Sequence, residues 1–219
     1  MNRFDMAYAL IKRAKLRRNE IGDHGDPYEE AILYGIVSVE IQIVLKEVLE
    51  HLRSALDYTA MEVVERITGK VSRRIYFPIV KSEDSPEEIN KKVEKALPGV
   101  NKINLEIIKL FESFQYSDWL SKFATVCNES KHQKLSVVAV DNAFVEVYNK
   151  QGIEYMSFFR ADGQFAFNRG LPLVTIIDGK ANYVKIDSID EELLRFLDDC
   201  IKGSEQIIHT IVEVMEPLK

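Results

Sequence analysis

The sequence predicts a mainly α-helical protein, a helical bundle with a small antiparallel β insertion and a C-terminal helix that packs back on the bundle. Two observations predict this fold class. Apolar residues recur at helical spacing through most of the first 135 residues and again near the C-terminus. Between these parts lie short β-branched runs with two Asp-Gly pairs, which are typical of hairpins. The predicted organisation is therefore residues 1–135 as the bundle, 136–187 as the β subdomain and 188–219 as the helix that completes the bundle.

Composition narrows the class of protein. The chain has 219 residues, of which 46% are hydrophobic, so it can bury a sizeable core. A net charge of -6 argues against a strongly basic nucleic-acid binder, although a local basic patch is compatible with it. The sequence has no run of about 18 uncharged apolar residues and no signal-peptide pattern at its start. The two cysteines lack metal-site spacing, so we expect a cytoplasmic protein without a metal or cofactor.

The first predicted helix spans residues 2–21. Phe4, Tyr8, Ile11 and Ala14 share one face, and the basic residues lie mostly on the others. We interpret these basic residues as a solvated face: Lys12, Arg13, Lys15, Arg17 and Arg18. The run "GDHGDP" then ends the helix. Its acidic and histidine side chains fit a polar turn better than a metal site.

A long helical pattern follows over residues 28–67. Gly35 marks a bend, Ser38 is a plausible N-cap for a new helix, and Gly69 is a natural stop. The next run, "RRIYFPIV", is predicted to be extended, because Pro78 disfavours the helical conformation in Phe77.

Three shorter helices are predicted before the β insertion. "SPEEI" is a helix start, with Ser85 as the cap and Pro86 in the first turn, and "LPG" at 97–99 ends that helix. A second helix covers about residues 101–114. The third follows "YSDW" and is predicted to continue to about Leu135, with Trp119 as a core anchor.

The β insertion and the last helix complete the chain. Residues 136–148 and 153–160 have the pattern of strands, and "ADGQ" (161–164) and "IDGK" (177–180) predict hairpin turns. The helical period returns over residues 189–215 with one apolar face. We therefore expect this helix to pack on the bundle.

Two polar clusters interrupt apolar helical stretches. Arg53 and Asp57 are four residues apart in "EHLRSALDYTA" and so share a helix face. Asn128 and His132 have the same spacing in "NESKHQKL", with Lys131 one step off that face. If the two helices pack together, the two clusters face each other, and Asp57 is the nearest partner for a buried Arg53.

Three interpretations of this polar centre remain open at the level of sequence. It is a satisfied network that fixes helix register. Alternatively, it is a pocket in which His132 is the general acid or base, Arg53 stabilises an anion and Asn128 orients the substrate, a set that suits metal-independent cleavage of RNA. The third interpretation is a surface that binds a ligand or a protein. The candidate catalytic residues are Arg53, Asp57, Asn128, Lys131 and His132.

The order of these motifs resembles a widespread group of bacterial helical proteins of uncharacterised function. "HLRSALDY", "FPI", "LPG" and "NxxKHxxL" occur here in the order of that group's "HNLRSALDH…FPI…LPG…NxDKH" series. The resemblance covers about residues 45–140 and departs from the series at Glu50 and Tyr58. The matching positions are residues 51–57, 77–79 and 97–99, with Asn128, Lys131 and His132. It implies an architecture and brings no activity with it.

A looser resemblance is to the HEPN superfamily of helical bundles, often dimeric ribonucleases of toxin and phage-defence systems. Their catalytic motif begins with Arg and has His four to six residues later; here Asn128 stands where that Arg is expected. The one literal match, Arg18 to His24 in "RNEIGDH", lies near the N-terminus instead of late in the bundle.

Two functions from different classes follow. The first is a cytoplasmic interaction or accessory module whose polar centre is structural. The second is a HEPN-like, metal-independent endoribonuclease with an RNA partner. In both, we expect a homodimer, because the two long helices have more apolar surface than a short bundle needs.

Overall fold

Helix dominates the architecture, as the sequence predicts. The structure is a computed structural model, and it describes residues 2–21, 27–70, 75–80, 83–129, 135–140, 145–150, 153–158, 175–177 and 180–216. The helices in these residues are α1 (Arg3–Asn19), α2 (Pro27–Tyr34), α3 (Val39–Thr68), α4 (Pro86–Ala96), α5 (Leu105–Phe114), α6 (Asp118–Glu129) and α7 (Leu193–Met215). The strands are β1 (Leu135–Val140), β2 (Val145–Lys150), β3 (Ile153–Phe158), β4 (Thr175–Ile177), β5 (Lys180–Ile186) and β6 (Glu191–Glu192).

Helices α1, α3 and α7 form the centre of the bundle. α1 runs antiparallel to α3, since Arg3 at its start pairs with Glu65 and Arg17 at its end pairs with Glu47. The C-terminal helix α7 packs on both, which confirms the predicted closing helix. The apolar stripes of the three helices supply many of the fully buried side chains, among them Ile11, Ile41, Leu49, Leu52, Leu56, Leu197 and Ile208.

The basic face of α1 is solvated in part: Lys12, Arg13 and Lys15 are exposed, as predicted, whereas Arg17 and Arg18 are half-buried. The Nε and Nη2 atoms of Arg18 donate to the two carboxylate oxygens of Asp198 at 2.7 and 2.8 Å, and Lys15 pairs with Glu205. These two contacts join α1 to α7. The helical period alone did not reveal that carboxylates of α7 lie opposite this face.

Local capping chemistry sets the ends of α3. The Ser38 hydroxyl accepts from the Ile41 N–H, and Gly69 ends the helix at a φ of 67°. Gly35, at a φ of 69°, provides the predicted bend after α2. Glycine adopts these two positive φ values without steric cost. The predicted cap at Ser38, the bend at Gly35 and the helix end at Gly69 are therefore confirmed.

Helix α6 packs on α3 and α7, helix α4 packs on α5, and the extended segment 75–80 is bonded to α3 through Phe77. Ser85 and Glu88 form a capping box at the start of α4, with Pro86 in its first turn, as predicted. The rings of Phe77, Phe111 and Phe114 contact one another with centroid separations of 5.3 to 6.4 Å. This aromatic cluster fixes the extended segment against α5.

The β part contains one sheet in the strand order β1-β5-β4, with β6 also paired to β5, and a separate β2–β3 pair. All of these pairings are antiparallel. Ile177 pairs with Lys180 across a two-residue connection, which confirms the hairpin predicted at "IDGK". The other predicted turn, at "ADGQ", lies outside the described residues.

Two predicted boundaries are wrong. The helix expected to continue to about Leu135 is described as far as Glu129, and Leu135 is already in β1, where it pairs with Ile186 of β5. The strand predicted over residues 136–148 is two strands, β1 and β2, in different sheets. Pairing with β5, which is distant in sequence, is the tertiary contact that local periodicity could not include.

Trp119 is the core anchor that its sequence context predicts. It is half-buried, contacts Phe123 at a centroid distance of 6.1 Å and packs on Gly203 of α7. A β-carbon at position 203 would lie 2.6 Å from the indole Nε1, so the absence of a side chain there makes room for the ring. None of the helices in the described ranges is long and apolar enough to cross a membrane.

Candidate functional site

The predicted Arg53–Asp57 pair lies at the middle of α3. The four-residue spacing places both side chains on one helix face, and Arg53 Nε lies 3.3 Å from Asp57 Oδ2. The pair is partly exposed, with 33% of the Arg53 side chain and 27% of the Asp57 side chain accessible. It is therefore not the deeply buried pair that the surrounding apolar sequence suggested.

Both side chains also bind the main chain of one residue, Phe77. Asp57 Oδ1 accepts from the Phe77 N–H at 2.8 Å, and Arg53 Nη2 donates to the Phe77 carbonyl at 3.2 Å. The extended segment has no neighbouring strand among the described residues, so a side-chain pair on α3 satisfies both main-chain polar groups of Phe77. The "RSALD" motif of α3 is thus hydrogen-bonded to the "FPI" motif of the extended segment.

Charge and burial oppose each other at Asp57. Burial raises the pKa of the Asp57 carboxyl above its ordinary value, while Arg53 and the Phe77 N–H act to lower that pKa. Desolvation outweighs the attraction, as is usual for ion pairs removed from water. The hydrogen bonds to Phe77 hold the extended segment against α3. The ion pair between Arg53 and Asp57 itself adds little stability.

Helix α6 packs on α3, and Cys127 near its end is close enough to the pair for the charges of Arg53 and Asp57 to act on it. Burial raises the pKa of the Cys127 thiol to about 12, and the charges of Arg53, Glu50 and Asp57 all act on that thiol. Asn128, the next residue, is exposed to solvent and lies near the last turn of α6. Burial thus favours the protonated form of the Cys127 thiol.

Lys131 and His132, the other predicted members of the polar centre, lie outside the described residues. The structure thus brings Arg53 and Asp57 together and places α6 beside them. The contact between the two clusters stays a prediction. The metal site considered at residues 23–26 also lies outside the described ranges, and within those ranges no group of three His, Cys, Asp or Glu side chains could hold a metal ion.

Sequence reasoning missed a second polar cluster, at the start of α7. Glu192 caps this helix, and its carboxylate accepts from the N–H groups of Leu194 and Arg195 at 2.9 and 2.7 Å. It also accepts from the Tyr28 hydroxyl of α2, which in turn accepts from the Val184 N–H of β5. The sequence signal was a run of three acidic residues, 190–192, directly before an apolar helix.

Burial controls the protonation of this second cluster. It raises the pKa of the Glu192 carboxyl to about 7, although the Tyr28 hydroxyl, the two N–H groups and the charge of Arg18 act in the opposite direction. Burial likewise raises the pKa of the Tyr28 hydroxyl well above its ordinary value. The cluster joins α2, β5 and α7 at the junction of the sheet with the bundle.

Comparison of the chain with protein-family models, with curated proteins and with solved structures finds no match.

Asp57→Ala tests the bond between α3 and the extended segment. The change removes the acceptor of the Phe77 N–H and the ionic partner of Arg53, so we expect a loss of about 1 kcal/mol in the free energy of unfolding. A fully buried pair would cost about 3 kcal/mol, and the partial exposure of both side chains lowers that value. Urea unfolding measures the difference.

Asp57→Asn is the matched control, since its amide oxygen can still accept from the Phe77 N–H. The loss in the free energy of unfolding should be less than half of the loss in Asp57→Ala. Equal stability of Asp57→Ala and the parent would mean that the bond between Asp57 and the Phe77 N–H contributes nothing to the fold.

Proposed function

We propose that this chain is an interaction or accessory module that works as a homodimer, with the Arg53–Asp57 pair as part of its framework. The observation that carries the proposal is the engagement of Arg53. Its Nε pairs with Asp57 and its Nη2 binds the carbonyl of Phe77, so two of its donor atoms hold the fold. An arginine used in this way supports a structural role for the polar centre.

The ribonuclease alternative requires an arginine that is free to bind a scissile phosphate. Arg18, which begins the literal HEPN-like match, is held by both oxygens of Asp198. Arg3, Lys15 and Arg17 of α1 are also paired with carboxylates of the same chain, whereas Lys12 and Arg13 are exposed. Together with the net charge of -6, these pairs favour a protein partner over RNA.

The thiols support placing the protein in a reducing compartment. Cys127 and Cys200 are both free, and burial raises the pKa of each thiol. A bacterial cytoplasm is the compartment that we propose, because free thiols are ordinary there.

Incubation of the purified protein with total RNA and EDTA tests the proposal. We expect no cleavage by the parent protein, and the same background from Arg53→Ala and His132→Ala, each verified as folded by circular dichroism. EDTA-resistant cleavage by the parent that disappears in both folded variants would instead establish the metal-independent ribonuclease. Light scattering gives the second readout, with an expected mass of twice the 25.2 kDa chain.

A further inference from the structure

Helix α2 is bound to the rest of the fold by the Tyr28–Glu192 cluster, which lies where α2, β5 and the start of α7 meet. The Tyr28 hydroxyl donates to Glu192 Oε1 and accepts from the Val184 N–H at 3.3 Å. Tyr28 and Val184 are both buried. One hydroxyl on α2 therefore links this helix to two other elements of the fold.

Of the elements that meet at this junction, α2 is the one that opens most easily. It has eight residues, whereas α7 has 23, and β5 lies in the middle of its sheet. An isolated helix of eight residues is not stable in water, so α2 is helical because it is docked. Short elements with few buried side chains are the ones that open locally in native proteins.

The Glu192 carboxyl is removed from water without a cation bonded to it. Glu192 is half-buried as a residue, and its carboxyl is the buried part. The Tyr28 hydroxyl and the N–H groups of Leu194 and Arg195 donate to this carboxyl, and no lysine or arginine in the described ranges pairs with it. These donors compensate a negative charge less completely than bulk water does. Ionisation of Glu192 therefore favours any opening that admits water.

The charged groups around this carboxyl have partners of their own. Arg18 of α1 acts on Glu192 from a distance, while its Nε and Nη2 atoms bind both carboxylate oxygens of Asp198. Two further pairs lie on the adjoining strands: Glu191 with Lys122, and Lys185 with Asp190. Among the described residues of this junction, Glu192 is thus the group whose charge changes near neutral pH.

We infer that α2 is released from this junction as the pH rises through neutrality, because ionisation of Glu192 favours water in the place of the Tyr28 hydroxyl. Burial raises the pKa of the docked Glu192 carboxyl to about 7, against an ordinary value of 4.5 that applies once water reaches it. The docked state therefore holds a proton that the released state gives up between these values. Docking is favoured at low pH and weakens as the pH rises through 7. The inference is independent of the proposed homodimer.

The Tyr28 hydroxyl does not itself titrate over this range. Burial raises its pKa well above the ordinary value of 10.0. The hydroxyl therefore stays a donor at neutral pH, and Glu192 alone changes the bond between α2 and α7.

Hydrogen exchange of the α2 amides tests the inference. The peptide covering residues 27–34 is followed by mass spectrometry at pH 6 and pH 8, and each rate is divided by the intrinsic exchange rate at that pH. We expect the corrected rate to be about tenfold faster at pH 8, given pKa values of about 7 when α2 is docked and 4.5 when it is released. A corrected rate that does not rise with pH would overturn the inference.

The middle of α3, residues 44–64, is the internal reference, because its amides exchange when the whole chain unfolds. The α2 amides should exchange at least ~10-fold faster than these at both pH values. Equal rates in α2 and α3 would mean that α2 leaves only during global unfolding, and local release would be refuted. This comparison uses the parent protein alone and so does not depend on the folding of any variant.

Two glutamine variants assign the pH response. Glu192→Gln cannot ionise, so its corrected α2 rate should be the same at pH 6 and pH 8. Glu191→Gln is the matched control and should keep the tenfold response, since Glu191 pairs with Lys122. The acidic and histidine side chains of residues 23–26 titrate in both variants. A response that persists in Glu192→Gln would therefore belong to another group, and the role inferred for Glu192 would be wrong.

Tyr28→Phe tests the hydroxyl while keeping the ring. Loss of its bonds to Glu192 and Val184 should raise the corrected α2 rate at pH 6 about fivefold. An unchanged rate would show that the hydroxyl does not hold α2 in place, which contradicts the inferred device.

Discussion

Raising the pH from about 5 to about 8 is expected to remove about 2 kcal/mol of the free energy of unfolding through Glu192 alone. Its carboxyl has a pKa of about 7 in the folded chain, against an ordinary value of 4.5. The folded state therefore holds a proton that the unfolded state releases between these two values. Stability from this group is present at low pH and is lost as the pH rises through 7.

The groups that face Glu192 favour its ionised form, and burial retains the proton against them. Tyr28 from α2 donates to the carboxylate, and the N–H groups of Leu194 and Arg195 bind it from α7. The Arg18 charge favours the ionised form, but Arg18 is already bound by Asp198. Burial outweighs all of these contributions.

Urea unfolding across this pH range measures the effect as the difference between parent and Glu192→Gln, which cannot titrate. Other carboxyl groups titrate in both proteins, so their contributions cancel in that difference. Glu191→Gln is the control, because the Glu191 carboxylate pairs with Lys122 instead of entering the Tyr28 cluster. If the free energy of unfolding changed with pH equally in the parent and in Glu192→Gln, the loss of stability could not be attributed to the raised pKa of Glu192.

Local signals in the sequence were sufficient for the helices and insufficient for what lies between them. Ser38, Gly69 and Ser85 act on neighbouring backbone groups, so their roles follow from a few residues of context. The end of α6 did not follow in this way. Leu135 is in a strand because it pairs with β5, about fifty residues later in the chain.

The candidate site shows the same division. The spacing of Arg53 and Asp57 predicted their pairing, because residues four apart on a helix are neighbours. Their shared partner, the main chain of Phe77, could not be predicted, since backbone groups carry no sequence signature. The Tyr28–Glu192 contact joins residues 164 positions apart, and only the tertiary fold brings these two side chains together.

The packing of Trp119 on Gly203 leads to the second large effect. Gly203→Ala is expected to destabilise the chain by about 2 kcal/mol, although alanine is the better helix former by about 1 kcal/mol. The added β-carbon would lie 2.6 Å from the indole Nε1, closer than side-chain carbons approach in folded proteins. A rigid ring that also packs on Phe123 cannot move aside without opening a gap.

Replacement of Trp119 should reverse the sign of the Gly203 substitution. Trp119→Leu alone loses buried apolar contacts and should cost about 3 kcal/mol. In that background the β-carbon has room, and Gly203→Ala should stabilise the chain by up to about 1 kcal/mol through helix propensity alone. A thermal and urea double-mutant cycle therefore predicts a coupling energy near 3 kcal/mol between the two positions. Additive effects in that cycle would show that the indole does not rest on Gly203, and that α6 is held against α7 by other contacts.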